Sequence, residues 1–233
     1  DRRYNGRQEP LEDLAFVDHW MTAEYDRPAI LGGHSMGAML AQEYIYTRGQ
    51  RLHALVLSGS TGVFPRLPAL LLSSLARFDS WRLSPATPSP LLSRRVLSMN
   101  NRNFERQEDG DEGLAWLSRD KERFAAYRPD PLCGAGLSAG GLAEMFASQA
   151  QSTQASNIQR IGKHVPIYLF AGHEDPLNNQ GKRLLALQKR YQAAGLRADL
   201  KLYPEGRHEM LNELNRAEVI DDLLHWLTEV THD

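Results

Sequence analysis

Ser35 lies in Gly33-His34-Ser35-Met36-Gly37, a Gly-x-Ser-x-Gly string. The apolar run Pro28-Ala29-Ile30-Leu31 precedes it, and the helical pattern Ala38-Met39-Leu40-Ala41-Gln42-Glu43 follows. In that strand–turn–helix setting a serine is lifted to the end of a sheet on a tight, strained turn. The turn predicts that neither Gly33 nor Gly37 can carry a bulky Cβ. A serine hydroxyl at its free pKa is a weak nucleophile. It needs a histidine to take its proton and an acid to orient that histidine. The expected chain order is serine, acid, histidine, with the partners just beyond the carboxyl ends of later strands. Asp175 fits as the acid, in His173-Glu174-Asp175-Pro176 directly after an apolar run. Glu174 is its local rival, and Pro176 keeps Asp175 out of helical geometry. His208 fits as the base, in Tyr203-Pro204-Glu205-Gly206-Arg207-His208 after the last strand-like run.

The other histidines have plainer roles. His19 and His225 fall on predicted helices, His53 and His164 precede strands, and His232 is terminal. His34 and His173 flank the serine and the acid, where packing or support is expected. His34, His173, Asp175 and His208 have metal-ligating side chains, yet no close-spaced pair of the zinc type joins them. No metal and no cofactor are expected.

The elements that must position these residues follow from periodicity. Residues 10–24 read as a helix with Leu11, Leu14, Phe16, Val17, Trp20 and Met21 on one side. A short buried strand is expected at 29–33, a helix at 36–47 and a strand at 53–59. Strand, helix and strand joined by short connections imply parallel pairing and an α/β fold. Residues 61–157 show no strand-like alternation. They hold Leu/Arg-rich helical segments at 67–78 and 90–99, a polar stretch at 100–113 and a Gly/Ser-rich one at 134–141. We read them as a helical lid inserted over a core made of residues 1–60 and 158–233. The sheet resumes at 165–172. A helix at 181–194 ends at Gly195. Residues 198–203 alternate as a strand near the sheet edge does. Asn215-Arg216-Ala217-Glu218 opens the last helix, to about residue 228, in the manner of a capping box.

Bulk composition narrows the function classes. A 233-residue chain that is 42% hydrophobic and 24% charged can bury one good core. The net charge of −2 gives no nucleic-acid footprint. The single cysteine, Cys133, cannot form an internal disulfide and is read as a buried structural thiol. No apolar run reaches membrane-span length and no signal peptide is visible, so the expected location is cytoplasmic or peripheral to a membrane. Only 34 residues precede Ser35, room for about one βαβ unit. A nucleophile strand central to a parallel sheet needs more neighbours, so the expectation is a fragment without its first strands. A small sheet is the alternative. One oxyanion donor should be the backbone N–H of Met36. The other comes from a loop after the third strand in such folds, outside this sequence.

Several stretches carry a family likeness. Asp1 to Arg7 is similar to the Asp-x-Arg-Gly-x-Gly-Arg segment after a fourth strand, with Tyr4-Asn5 replacing Gly-x. Leu31-Gly32-Gly33-His34-Ser35-Met36-Gly37 matches a nucleophile elbow. Trp116-Leu117-Ser118-Arg119-Asp120 and Asp130-Pro131-Leu132-Cys133-Gly134 resemble a lid signature, and Gly206-Arg207-His208-Glu209-Met210-Leu211-Asn212-Glu213 resembles a histidine loop. Together they resemble the α/β-hydrolase serine hydrolases of the monoacylglycerol lipase and lysophospholipase group. The resemblance implies Ser35, Asp175 and His208 as the triad, and a small ester or mono-acyl lipid as substrate. It also implies that the first strands and an oxyanion His-Gly loop lie outside this sequence. Phe64, Leu67, Leu70, Leu71, Leu72, Leu75 and Phe78 would then form an acyl slot or a surface for transient membrane contact, or would simply pack the lid onto the sheet. Two other functions use the same residues: an amidase of the aminopeptidase type, and a noncatalytic binding module.

Overall fold

The computed structural model describes residues 8–89, 92, 100–101, 104, 113–127, 129–131, 133 and 137–232. Most of the predicted segments at 90–99 and 100–113, the first seven residues and most of 132–136 lie outside that set. Four parallel strands form one sheet in the order β1-β2-β3-β4. They are β1 (Ile30–His34), β2 (Ala54–Ser58), β3 (Ile167–Gly172) and β4 (Ala198–Tyr203).

Side chains alternate across the sheet with the period of two that pleating imposes. Leu55 and Leu57 of β2 and Ile167 and Leu169 of β3 face one core, with Leu11, Tyr44, Ile45, Leu187 and Tyr191. That core is roofed by α1 (Gln8–Tyr25), α2 (Met36–Thr47) and α7 (Lys182–Ala193). Ala54, Val56, Tyr168 and Phe170 face the other way, onto Val219, Trp226 and Val230 of α8 (Arg216–His232). Strands buried on both faces explain the nearly continuous apolar runs read at β2 and β3.

Between β2 and β3 the described residues form the helices α3 (Arg66–Leu83), α4 (Lys121–Tyr127), α5 (Ala139–Ser152) and α6 (Ala155–Ile158) and no strand. α3 turns Ala69, Ser73 and Ala76 inward. The Ser73 hydroxyl donates to the Ala143 carbonyl of α5 at 2.9 Å. Leu67, Leu70, Leu71, Leu75 and Phe78 instead face solvent, together with Trp81. Packing of those five side chains onto the sheet is therefore not what the fold does with them.

Three further expectations change. β1 is not buried: it pairs only with β2 among the described residues, and Ile30, Gly32 and His34 are exposed. The apolar face of α1 is only partly used, since Leu11 is buried while Phe16, Val17 and Trp20 are exposed. The last helix continues four residues beyond its predicted end, to His232.

Leu169 is fully buried at the centre of the sheet. Leu169→Ala should cost about 2–5 kcal/mol, because the removed methyls leave a cavity that strands on both sides cannot close. Urea denaturation of the two proteins measures this.

Candidate active site

Each predicted residue follows the carboxyl end of a parallel strand. Ser35 ends β1 and begins the turn into α2 at φ 53° and ψ −115°. That backbone is unusual for a non-glycine residue. Its N–H donates to the Ser58 carbonyl of β2 at 3.0 Å, which ties the turn to the sheet. The hydroxyl does not cap α2, so it stays free for other chemistry. A Cβ on Gly33 would overlap the Gly37 carbonyl, whereas a Cβ on Gly37 would meet open space. Only the first of the two expected glycine constraints acts here. Met36 is the first residue of α2, so its N–H has no intrahelical acceptor.

Asp175 and His208 are brought together. The His208 Nδ1 lies 2.9 Å from Asp175 Oδ2, and both side chains are buried. The second Asp175 oxygen accepts the Leu177 N–H at 2.9 Å. Buried Asn178 braces this loop, donating to the Gly172 carbonyl and accepting the Gly181 N–H. Glu174, the rival acid, is exposed and pairs with His173. Its carboxylate makes no hydrogen bond to His208.

The His208 ring contacts two others, Trp116 and His34, each at a centroid distance of 4.8 Å. Gly59 permits the approach, because a Cβ there would come within 2.8 Å of His34 and 2.9 Å of His208. Ser35 is thus next in sequence to a ring that touches His208. No hydrogen bond joins Ser35 to His208; such contacts often tighten only with substrate bound.

The residues that sequence reasoning missed surround His208. The His208 N–H donates to the Trp116 carbonyl at 3.3 Å, and the Glu209 N–H to the Leu117 carbonyl at 2.7 Å. Buried Arg207 donates to the carbonyls of Ala115 and Ser118. Glu213 accepts from Arg207 and Arg119. The likeness of the Trp116–Asp120 string to a lid signature was the available signal, but it gave no partner in the histidine loop.

The Hydrolase_4 family, described as serine aminopeptidase S33, matches residues 3–215. The chain belongs to this family. It is an α/β-hydrolase. A monoacylglycerol lipase of Mycolicibacterium smegmatis is 30% identical over 239 residues, spanning 97% of this chain and 74% of that protein. A thermostable carboxyl esterase from Bacillus coagulans, solved with glycerol, superposes with a TM-score of 0.86 at 23% identity, covering 97% of this chain and 73% of its own. A lipase solved in an open form gives 0.81 at 28% identity, covering 96% and 72%.

In this α/β-hydrolase, burial and then the adjacent His208 lower the His34 pKa from 6.5 to about 4, while Asp175 pulls it upward. One edge of His34 is open to solvent, which weakens the burial contribution. The unfolded chain binds a proton at His34 that the folded site resists, so its stabilisation is full above pH 6.5 and is lost as pH falls toward 4. His34→Asn should flatten the pH dependence of stability across that window, as measured by denaturation at stepped pH. A second substitution tests the loop geometry. Ala in place of Gly172 would overlap the Gly206 and Arg207 carbonyls. Gly172→Ala should lower the melting temperature and reduce kcat at least tenfold, because the acid and base loops must separate.

Proposed function

We propose that this α/β-hydrolase cleaves carboxylic esters of mono-acyl lipids, such as a monoacylglycerol or lysophospholipid, through an acyl-enzyme on Ser35. The buried His208–Asp175 pair at the strand end beside Ser35 is the observation that carries the proposal. Ser35 Oγ attacks the ester carbonyl while His208 Nε2 takes the hydroxyl proton. Asp175 holds Nδ1–H, which fixes the tautomer and stabilises the imidazolium. The Met36 N–H donates to the oxyanion, at the positive end of α2. His208 returns the proton to the alcohol as the C–O bond breaks. Water, deprotonated by His208, then attacks the acyl carbonyl, and His208 returns that proton to Ser35 Oγ as the acyl C–O bond breaks, freeing the acid and the serine.

The acyl-lipid part of the proposal draws support from two sources. The related Mycolicibacterium smegmatis protein is a monoacylglycerol lipase. Leu67, Leu71, Leu75 and Phe78 also form an exposed stripe on α3 at spacings of four, four and three residues. That stripe supports reading residues 61–157 as a lid over the core, with α3 as its lipid-facing helix. No described helix is long and apolar enough to cross a membrane, so contact would be at the surface. An amide substrate is the second reading, favoured by the family's description as a serine aminopeptidase.

A fluorophosphonate should label Ser35 in the full-length protein, and monoacylglycerol should turn over faster than an aminoacyl amide. Absence of labelling would make the fold a binding module, and faster amide cleavage would reverse the substrate class. Asp175→Asn should lower kcat about 10⁴-fold, through loss of the correct histidine tautomer.

A further inference from the structure

We propose that Glu213 is a positioning residue for His208, and that Arg119 of the β2–β3 insertion is its counter-ion in that role. The proposal rests on His208 acting as the base. Glu213 is fully buried. Its Oε1 accepts the backbone N–H groups of Arg207 and Arg119 at 3.0 and 3.1 Å. Its Oε2 accepts the Arg119 Nε–H and the Leu214 N–H, each at 3.0 Å. One carboxylate therefore joins the residue before the base to a segment 94 residues earlier in the chain.

The same junction is closed from the other side. Three consecutive residues, Arg207, His208 and Glu209, all donate to carbonyls within Ala115–Ser118. Trp116, whose carbonyl takes the His208 N–H, also lays its ring against the imidazole. Ser118 donates to the Asn212 carbonyl, and Arg119 also reaches Glu205 and Asn215. Arg216 crosses back to Asp120. The Ala115–Asp120 stretch is thus bound to the base loop along its whole length, and among the buried charged residues of that seam, Arg207, Asp120 and Glu213, it is the Glu213 carboxylate that accepts main-chain N–H groups from both sides. Loss of the Glu213 charge leaves the Arg119 guanidinium and three main-chain N–H groups with weakened acceptors. The seam must then relax, carrying the base with it. A displacement near 1 Å at a reacting group costs about a hundredfold in rate.

The test compares Glu213→Gln, Arg119→Ala and Arg119→Lys with the wild-type protein, using kcat and KM on a soluble ester and the rate of Ser35 labelling by fluorophosphonate. Glu213→Gln and Arg119→Ala should lower kcat by about 10–100-fold and slow labelling in parallel, with KM changed by no more than about twofold. Arg119→Lys should recover part of the loss, since it keeps the cation and the main-chain N–H. Thermal melts identify the folded variants. If Glu213→Gln does not fold, the two Arg119 variants decide, because Arg119 reaches the surface. A folded variant set with wild-type kcat and labelling, or a loss confined to KM, overturns the role of Glu213. Wild-type protein that does not label, or His208→Ala that labels at the wild-type rate, overturns the reading of the base instead.

Discussion

The approach of two loops at the carboxyl ends of β3 and β4 is the constraint on which the site depends. A side chain at Gly172 would overlap the carbonyls of Gly206 and Arg207, so backbone meets backbone there. The register places Gly172 opposite Tyr203. Beyond it, His173 donates to the Tyr203 carbonyl and Glu174 to the Gly206 carbonyl, both at 2.9 Å. Asp175 and His208 follow immediately on the two sides. Their hydrogen bond is therefore a consequence of strand register, carried past the sheet by two more backbone bonds. A slip of one residue would turn every side chain to the opposite face and break it.

The insertion divides by what it touches. α3 and α5 pack on one another through small and apolar residues, Ala76 against Leu142, Ala143 and Phe146. Such a contact leaves the opposite face of α3 in water. Ala115–Asp120 belongs elsewhere, because its carbonyls are the acceptors for the histidine loop. The same insertion thus supplies both a solvent-facing helix and a structural support for the His208 loop. Treating residues 61–157 as one cover hides that division.

Much of this was legible in the chain because the signals are local. Ser35 announces itself by glycine, apolar run and helix within a dozen residues, and Asp175 and His208 by following strand-like runs directly. β2 and β3 were equally plain, since burial on both faces removes polar residues. The contacts around Glu213 were not legible. They join distant parts of the chain, 94 positions apart for Glu213 and Arg119, and hydrogen bonds to main-chain groups demand no particular side chain from the partner. Gly37 misled for the opposite reason: a motif glycine suggests a steric limit, but the limit lies at Gly33. The α1 residues Phe16 and Trp20 misled because periodicity gives a face without saying what packs on it.

The strain at Ser35 follows from the same arrangement. A non-glycine residue held at positive φ typically costs on the order of 1–3 kcal/mol and persists only where its surroundings over-determine it. Here β1 enters in register with β2, and the Ser35 N–H bonds onward to Ser58. α2 starts at once, with its Ala38 N–H on the Ser35 carbonyl, and the chain doubles back so closely that Gly33 must lack a side chain. Strand and helix both pack on the core on one face of the sheet, β1 through Leu31 and α2 through Tyr44 and Ile45. With both ends held, the intervening residue has no relaxed alternative. The hydroxyl is left uncommitted because the backbone around it is fully committed.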